Sequence, residues 1–145
     1  MPKFDLLSLF KKSKPEKHVE YKLKKTNHKY HLVVDDNSIN RSVIKQYILS
    51  IDDTLTVYEA PNGADCIDIV KKNNNFDYIW IDVKMPIMDG IDATTFLRHN
   101  GFENNIIGIT GMVDNITKNK CKRAGMNDII AKPVDIDQIR NYLNR

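Results

Sequence analysis

The sequence predicts an α/β domain built on a parallel five-stranded sheet with helices on both faces, and three observations predict it. Five apolar runs of strand length recur, HLVVD (31–35), TLTVYE (54–59), DYIWID (77–82), NIIGIT (105–110) and DIIA (128–131). Each is followed by a stretch of helix-like spacing, near 38–50, 62–72, 90–99, 114–123 and 135–144. The strand runs are nearly continuous in Val and Ile, as strands covered on both faces are. Strand and helix in strict alternation imply right-handed crossovers on one sheet.

The elements follow in order. The first run ends in Asp35 and Asp36, and the helix after it sets Ile39, Val43, Ile44, Tyr47 and Ile48 on one face, with Asn37 or Ser38 as the N-cap. The second run leads into a helix that carries Cys66 among apolar neighbours. The third ends at Asp82, an ionisable group directly after Ile79-Trp80-Ile81, where burial penalises charge. Trp80 sits mid-strand and reads as core rather than as a stacking platform. The loop after Asp82 takes its shape from Pro86 and Gly90, and Met88 is expected to pack. The fourth run ends at Thr110, with Gly111 beside it, and Lys132 lies just past the fifth. The last helix repeats the first design with Ile136, Ile139, Tyr142 and Leu143.

A chain of 145 residues, 41% hydrophobic and 28% charged, suits one domain. No apolar run approaches the ~20 residues that cross a bilayer, and the first residues lack the pattern of a secretory signal, so a cytoplasmic protein is expected. Cys66 and Cys121 read as two separate buried thiols. The net charge of +3 is uneven: residues 1–30 hold nine Lys against Asp5, Glu16 and Glu20, and the remainder is net acidic. The expected organisation is a basic extension over 1–30 and a folded domain over 31–145, with no direct DNA binding, because the positive charge is not on the domain. Phe4, Leu6, Leu7, Leu9 and Phe10, followed by Lys11 and Lys12, suggest a short amphipathic segment at 4–12 for weak docking on a membrane, a partner or its own domain.

In parallel sheets of this kind ligands bind outside the carboxyl ends of the strands. Those ends gather Asp35, Asp36, Asp82, Thr110 and Lys132. Taken singly, each has an ordinary reading as a cap, a turn residue or a surface charge. Together they set three carboxylates against a hydroxyl and an ammonium. Like charges about 4 Å apart repel by about 4 kcal/mol at an effective dielectric of 20, so such a cluster protonates or takes a cation. An all-oxygen set with no His or Cys at a strand end suits Mg2+. A phosphoryl group could then share its oxygens among the metal, Thr110 and Lys132.

These residues carry a resemblance. LVVDDNSINR (32–41), EAPNGADCI (59–67), IDVKMPIMDG (81–90), GIT (108–110), AGMND (124–128) and AKP (131–133) resemble the receiver domain of two-component response regulators, across residues 31–145. The opening and the MPIMDG loop are most like the receivers of hybrid histidine kinases and phosphorelays. The resemblance implies a flavodoxin-like (βα)5 fold with strand order 2-1-3-4-5. It also implies Asp82 as phosphoacceptor, Mg2+ organised by Asp35, Asp36, Asp82 and the Lys84 backbone carbonyl, and Thr110 and Lys132 on the phosphoryl group. A cis Lys132–Pro133 bond is implied as well. The implied donor is a histidine kinase or histidine phosphotransfer protein, touching the helix near Ile39, Arg41 and Ser42. No output domain follows Arg145, so a stand-alone receiver acting through an unknown downstream protein partner is expected. His18, His28 and His31, in or beside the extension, and His99, read as a surface residue, carry no expected phosphohistidine role.

Two departures from the family pattern stand out. Ile129 occupies a position where the family commonly has Tyr or Phe, so a smaller or differently routed conformational response is expected. Lys84 and Met112 lie where the family's attacking water passes, which bears on phosphoryl lifetime. The alternatives are a phosphorylation-independent scaffold, disfavoured by the intact acidic, hydroxyl and lysine set, and a Mg2+-dependent aspartyl-phosphate hydrolase. The latter is disfavoured because Lys84 stands where such enzymes have a second Asp.

Overall fold

In the computed structural model, which describes residues 29–144, every predicted strand–helix alternation is present. The chain runs β1 (Tyr30–Val34), α1 (Ser38–Ile51), β2 (Thr56–Ala60), α2 (Gly63–Lys72), β3 (Phe76–Asp82), α3 (Gly90–His99), β4 (Asn105–Thr110), α4 (Asn115–Ala124), β5 (Asp128–Ala131), α5 (Ile136–Leu143). All pairings are parallel and the order is β2-β1-β3-β4-β5. The expected basic extension lies almost wholly outside the described residues, as does the amphipathic segment at 4–12.

Element bounds shift by one or two residues for local reasons. The strand expected from residue 54 begins at Thr56, because Asp52 closes a turn first: its Oδ1 accepts from the Thr54 backbone N–H at 3.0 Å, and its carbonyl from Leu55 N–H at 3.3 Å. β1 ends at Val34, which leaves Asp35 as the first loop residue, tethered by its N–H to the Ala60 carbonyl at 3.2 Å. Each helix begins at an Asn or Asp whose side chain accepts backbone N–H groups of the first turn: Asn37, Asn62, Asp89, Asp114 and Asp135. α4 stops at Gly125, whose φ of 109° is the left-handed conformation that glycine adopts without a Cβ penalty.

Alternation along the strands divides the interior into two cores. Leu32, Val34, Ile79, Ile81 and Ile106 face one side and pack with Ile67, Phe96 and Leu97. Val33, Trp80, Ile107 and Ile109 face the other and pack with Ile44, Ile48 and Ile139. Trp80 and Met88 are buried, as expected. Cys66 and Cys121 are free and buried, and burial pushes the Cys66 thiol up to about 12.

Gly90 places the carboxyl edge of β3. α3 starts so close to the end of β3 that a Cβ on Gly90 would lie 2.3 Å from the Asp82 carbonyl oxygen. At the opposite end of the sheet His31, beside the extension, is an interior residue, 1% exposed. It follows the β1 alternation to the Val33 side, where its Nδ1 accepts from Trp80 Nε1 at 3.1 Å and its ring lies tilted against that of Tyr78, 5.2 Å between centroids. Burial first, then the charge of Lys29, lowers its pKa to about 4 against the opposing pull of Asp52.

Because the folded pKa lies below the unfolded value of about 6.5, the unfolded chain takes up this proton first. The stability so contributed is complete above about pH 6.5 and is lost as pH falls toward 4. Between pH 7 and pH 5 His31 is expected to account for about 2 kcal/mol of lost stability. Urea unfolding at both values should show a smaller loss for His31→Gln, whereas equal losses would place the imidazole in water. Gly90→Ala should cost about 1–3 kcal/mol through overpacking. Gly111→Ala, whose Cβ would meet nothing within 4 Å, should melt like the parent.

Candidate functional site

The register brings four strand-end side chains to one edge. Val34 pairs with both Ala60 and Ile81, Asp82 with Ile109, and Thr110 with Ala131, so Asp35, Asp82, Thr110 and Lys132 emerge side by side. Lys132 is anchored by its own N–H, which donates to the Thr110 carbonyl at 2.9 Å. Its peptide bond to Pro133 is cis.

Asp82 is 5% exposed. Its Oδ2 accepts from Lys132 Nζ at 2.9 Å and its Oδ1 from the Lys84 backbone N–H at 3.2 Å. Asp35 is also buried, and its Oδ2 accepts from the same ammonium at 3.2 Å. Its Oδ1 accepts from Asn37 N–H at 2.8 Å, and Asn40 Nδ2 reaches Oδ2 at 3.4 Å. Asp36 is exposed. One ammonium thus serves two buried carboxylates.

Burial raises the pKa of Asp82, with a further push from Asp35, while the hydrogen bond and charge of Lys132 and the Lys84 N–H act against it. For Lys132 burial pulls downward, yet Asp82 and Asp35 together hold its pKa above the ordinary value. Both members of the pair being raised reflects their unequal depth: the Asp82 side chain is 7% exposed and that of Lys132 30%. The carboxylate therefore bears more desolvation than the single cation offsets.

That imbalance is what a second cation would correct. Asp35, Asp36 and Asp82 each offer a carboxylate oxygen, and the three lie within 4.8 Å of one another. The set is all oxygen and one member faces solvent, which leaves room for the waters that Mg2+ retains. The residues present fit that ion.

Thr110 lies at the edge, but its hydroxyl is turned onto its own loop, accepting from Met112 N–H at 3.0 Å and donating to the Met112 carbonyl at 3.3 Å. Across the mouth, Lys84 Nζ donates to Met112 Sδ at 3.4 Å. Ile129 packs against the core cluster that includes Met126. His99 is exposed on α3. In the loop after β3, Ile87 holds a positive φ of 72° and is 85% exposed, a conformation strained for a β-branched residue.

Two supporting residues were not assigned this role from sequence. Arg41, read there as a donor contact, donates Nη1–H to the Asp35 carbonyl at 2.8 Å and Nε–H to Glu59 at 3.3 Å. Asn40 touches Asp35 itself. Their signal was spacing: three and four residues after the Asn37 cap, they share the first turn that overhangs the end of β1.

The family model for the response regulator receiver domain matches residues 32–144. Two-component response regulator 24 of Arabidopsis thaliana is 33% identical over 117 residues, covering 79% of this chain and 81% of that protein. An osmosensing histidine protein kinase of Saccharomyces cerevisiae is 32% identical over 117 residues, or 77% of this chain, which spans only 10% of that kinase. The fold is also that of the receiver domain of a Saccharomyces cerevisiae response regulator solved with its histidine phosphotransfer protein, at a TM-score of 0.71 and 23% identity, covering 81% of this chain and 87% of that one. With five parallel strands in the order 2-1-3-4-5 and three carboxylates and a lysine at their carboxyl edge, the chain belongs to the response regulator receiver family.

Proposed function

We propose that Asp82 accepts a phosphoryl group from a phosphohistidine on a histidine kinase or histidine phosphotransfer protein, in a Mg2+-dependent reaction, and that the phosphorylated domain signals through altered binding to a downstream protein. The observation that carries this reading is the pairing of buried Asp82 with Lys132 at 2.9 Å inside a three-carboxylate cluster. A carboxylate held at a strand end in a site that also binds cations is a nucleophile placed for phosphorus.

In the transfer, an Asp82 carboxylate oxygen forms the bond to phosphorus as the bond from phosphorus to the donor imidazole nitrogen breaks, that nitrogen keeping the electron pair. The Lys84 N–H fixes the rotation of the Asp82 carboxylate from the Oδ1 side. Lys132, bridging Asp35 and Asp82, is placed to transfer its hydrogen bond to a phosphoryl oxygen. The Thr110 hydroxyl reaches the same group only by leaving Met112. Asp35 and Asp36, with Asp82 and the Lys84 carbonyl, would hold Mg2+, which supplies neutralisation of the charge that gathers on the phosphoryl oxygens.

The proposed reading is a cytoplasmic, stand-alone receiver, in keeping with the extent of the Arabidopsis thaliana regulator, 81% of which is covered. No helix among the described residues is long and apolar enough to cross a membrane.

Incubation with a small-molecule phosphodonor and Mg2+ is expected to add one phosphoryl group by intact mass, and Asp82→Asn should add none. An adduct of equal yield on the Asn variant would remove Asp82 from the role. Lys132→Ala should destabilise the fold by leaving Asp35 and Asp82 unpaired, and at a temperature where the variant is still folded it should form the adduct at least tenfold more slowly. Mg2+ at about 100 times its dissociation constant should stabilise the chain by about 2.7 kcal/mol, since it binds only the folded state. Asp36→Asn should lose most of that gain in urea melts with and without the ion, and an undiminished gain would place the metal elsewhere.

A further inference from the structure

Sulfur is placed unevenly among the described residues. Met88 and Met126 are buried, Met85 is partly buried against the core, and Met112 is 52% exposed. Cys66 and Cys121 are buried as well, and burial pushes the Cys66 thiol up to about 12, so the thiolate form that reacts with an oxidant is scarce. A thioether needs no ionisation to react. An oxidant in solution therefore meets the Met112 sulfur first.

Two sets of contacts tie this sulfur to the phosphoacceptor site. Sδ accepts from Lys84 Nζ at 3.4 Å, which joins the loop after β4 to the loop after β3 across the site mouth. The Met112 main chain holds the Thr110 hydroxyl from both sides, its N–H donating to Oγ1 at 3.0 Å and its carbonyl accepting at 3.3 Å. The Lys84 main chain in turn donates to Asp82 Oδ1 at 3.2 Å. Met112 thus grips Thr110 with its backbone and the Asp82 loop with its side chain.

We propose that Met112 is an oxidative modification site: a peroxide converts its thioether to the sulfoxide, and the Lys84 ammonium takes the new oxygen as its acceptor, clamping the loop that holds Thr110. A sulfur lone pair forms the bond to one peroxide oxygen as the O–O bond breaks. The departing hydroxide takes the proton of the transferred hydroxyl and leaves as water, so sulfur is oxidised by two electrons and the peroxide reduced by two. A thioether sulfur is a weak acceptor, whereas a bond from an ammonium to the polar sulfoxide oxygen is charge-assisted. Lys84 is exposed and its stem is flexible, so the ammonium follows the oxygen without moving the main chain. The Thr110 hydroxyl reaches a phosphoryl group only by leaving Met112, so a tighter clamp slows phosphoryl transfer. The sulfoxide and its clamp do not depend on the phosphoryl reading, whereas the slowing rests on it.

The test treats the full chain with dilute hydrogen peroxide and then removes it. Peptide mass should show oxygen gained at Met112 at least tenfold faster than at Met88 or Met126. The Met112 amide hydrogen should then exchange with solvent at least threefold more slowly than before treatment, and methionine sulfoxide reductases should restore the original rate. In Lys84→Gln the sulfoxide should form without that added protection. Adduct formation with the small phosphodonor should slow at least threefold in the oxidised parent, and peroxide should leave the rate of Met112→Leu where it was. Oxidation spread evenly over Met85, Met88, Met112 and Met126 overturns the proposal. Selective oxidation with unchanged or faster Met112 exchange overturns it too, since Met112 is then only an exposed thioether. Added protection with an unchanged adduct rate would keep the clamp and reject the slowing. Added protection in a chain that forms no adduct even before treatment would reject the phosphoryl reading, and the slowing with it, and keep the clamp.

Discussion

The structure turns on the Lys132 ammonium, which lies 3.2 Å from Asp35 and 2.9 Å from Asp82. These two carboxylates end adjacent strands, β1 and β3, and are buried by the helices that cover both faces of the sheet. Isolated carboxylates at that depth would neutralise or unfold their surroundings. The lysine comes from the far side of β4, two strands away from β3, and its backbone is fixed to the Thr110 carbonyl. Sheet order, the register of β4 on β5 and the placing of one cation are therefore a single constraint. A slip of one residue in β5 would turn its side chains to the opposite faces and move Lys132 out of line with Asp82.

The rest of the fold holds the two carboxylates where that cation can reach them. Arg41 and Asn40 grip the β1 end from the first turn of α1, and the Arg41 guanidinium joins it to Glu59 at the end of β2. On the other side Gly90 lets α3 begin in contact with the Asp82 backbone, and its N–H donates to the Val83 carbonyl at 3.0 Å. The β3–α3 loop is tight enough to force Ile87 to positive φ. An arrangement fixed this firmly is preorganised for charge that arrives with a ligand, because the groups need little rearrangement to meet it.

Much of this was legible in the sequence because it depends on periodicity. Val and Ile runs, the cap at Asn37, and acidic or basic residues at run ends specified which elements exist and which side chains share an edge. The strand order came from the resemblance alone, since alternation of strands and helices permits several orders. What stayed hidden depends on pairing between distant segments. His31 looked like no more than the first residue of the first strand, beside a basic extension, and only the parallel register of β1 on β3 brings Trp80 to its Nδ1. Arg41 looked solvent-facing for the same reason: its partners are a main-chain carbonyl and Glu59, 18 residues away.

The orientation of Thr110 was equally beyond a sequence reading, and it bears on how the site communicates. Any movement that brings its hydroxyl toward Asp82 must break both bonds to the Met112 main chain. Met112 also receives the Lys84 ammonium on its sulfur, so the loop is tied to both sides of the site mouth. Position 129 carries an isoleucine already packed into the Met126 cluster, so no aromatic ring stands there to swing in response. On the proposed reading, the consequence of moving Thr110 would fall on the loop that follows it. There Met112, Val113 and Ile116 are exposed at the start of α4, beside the cationic Lys118 and Lys122. A main-chain change at Met112 would then alter the shape of that apolar and basic surface directly, without a relay through the core.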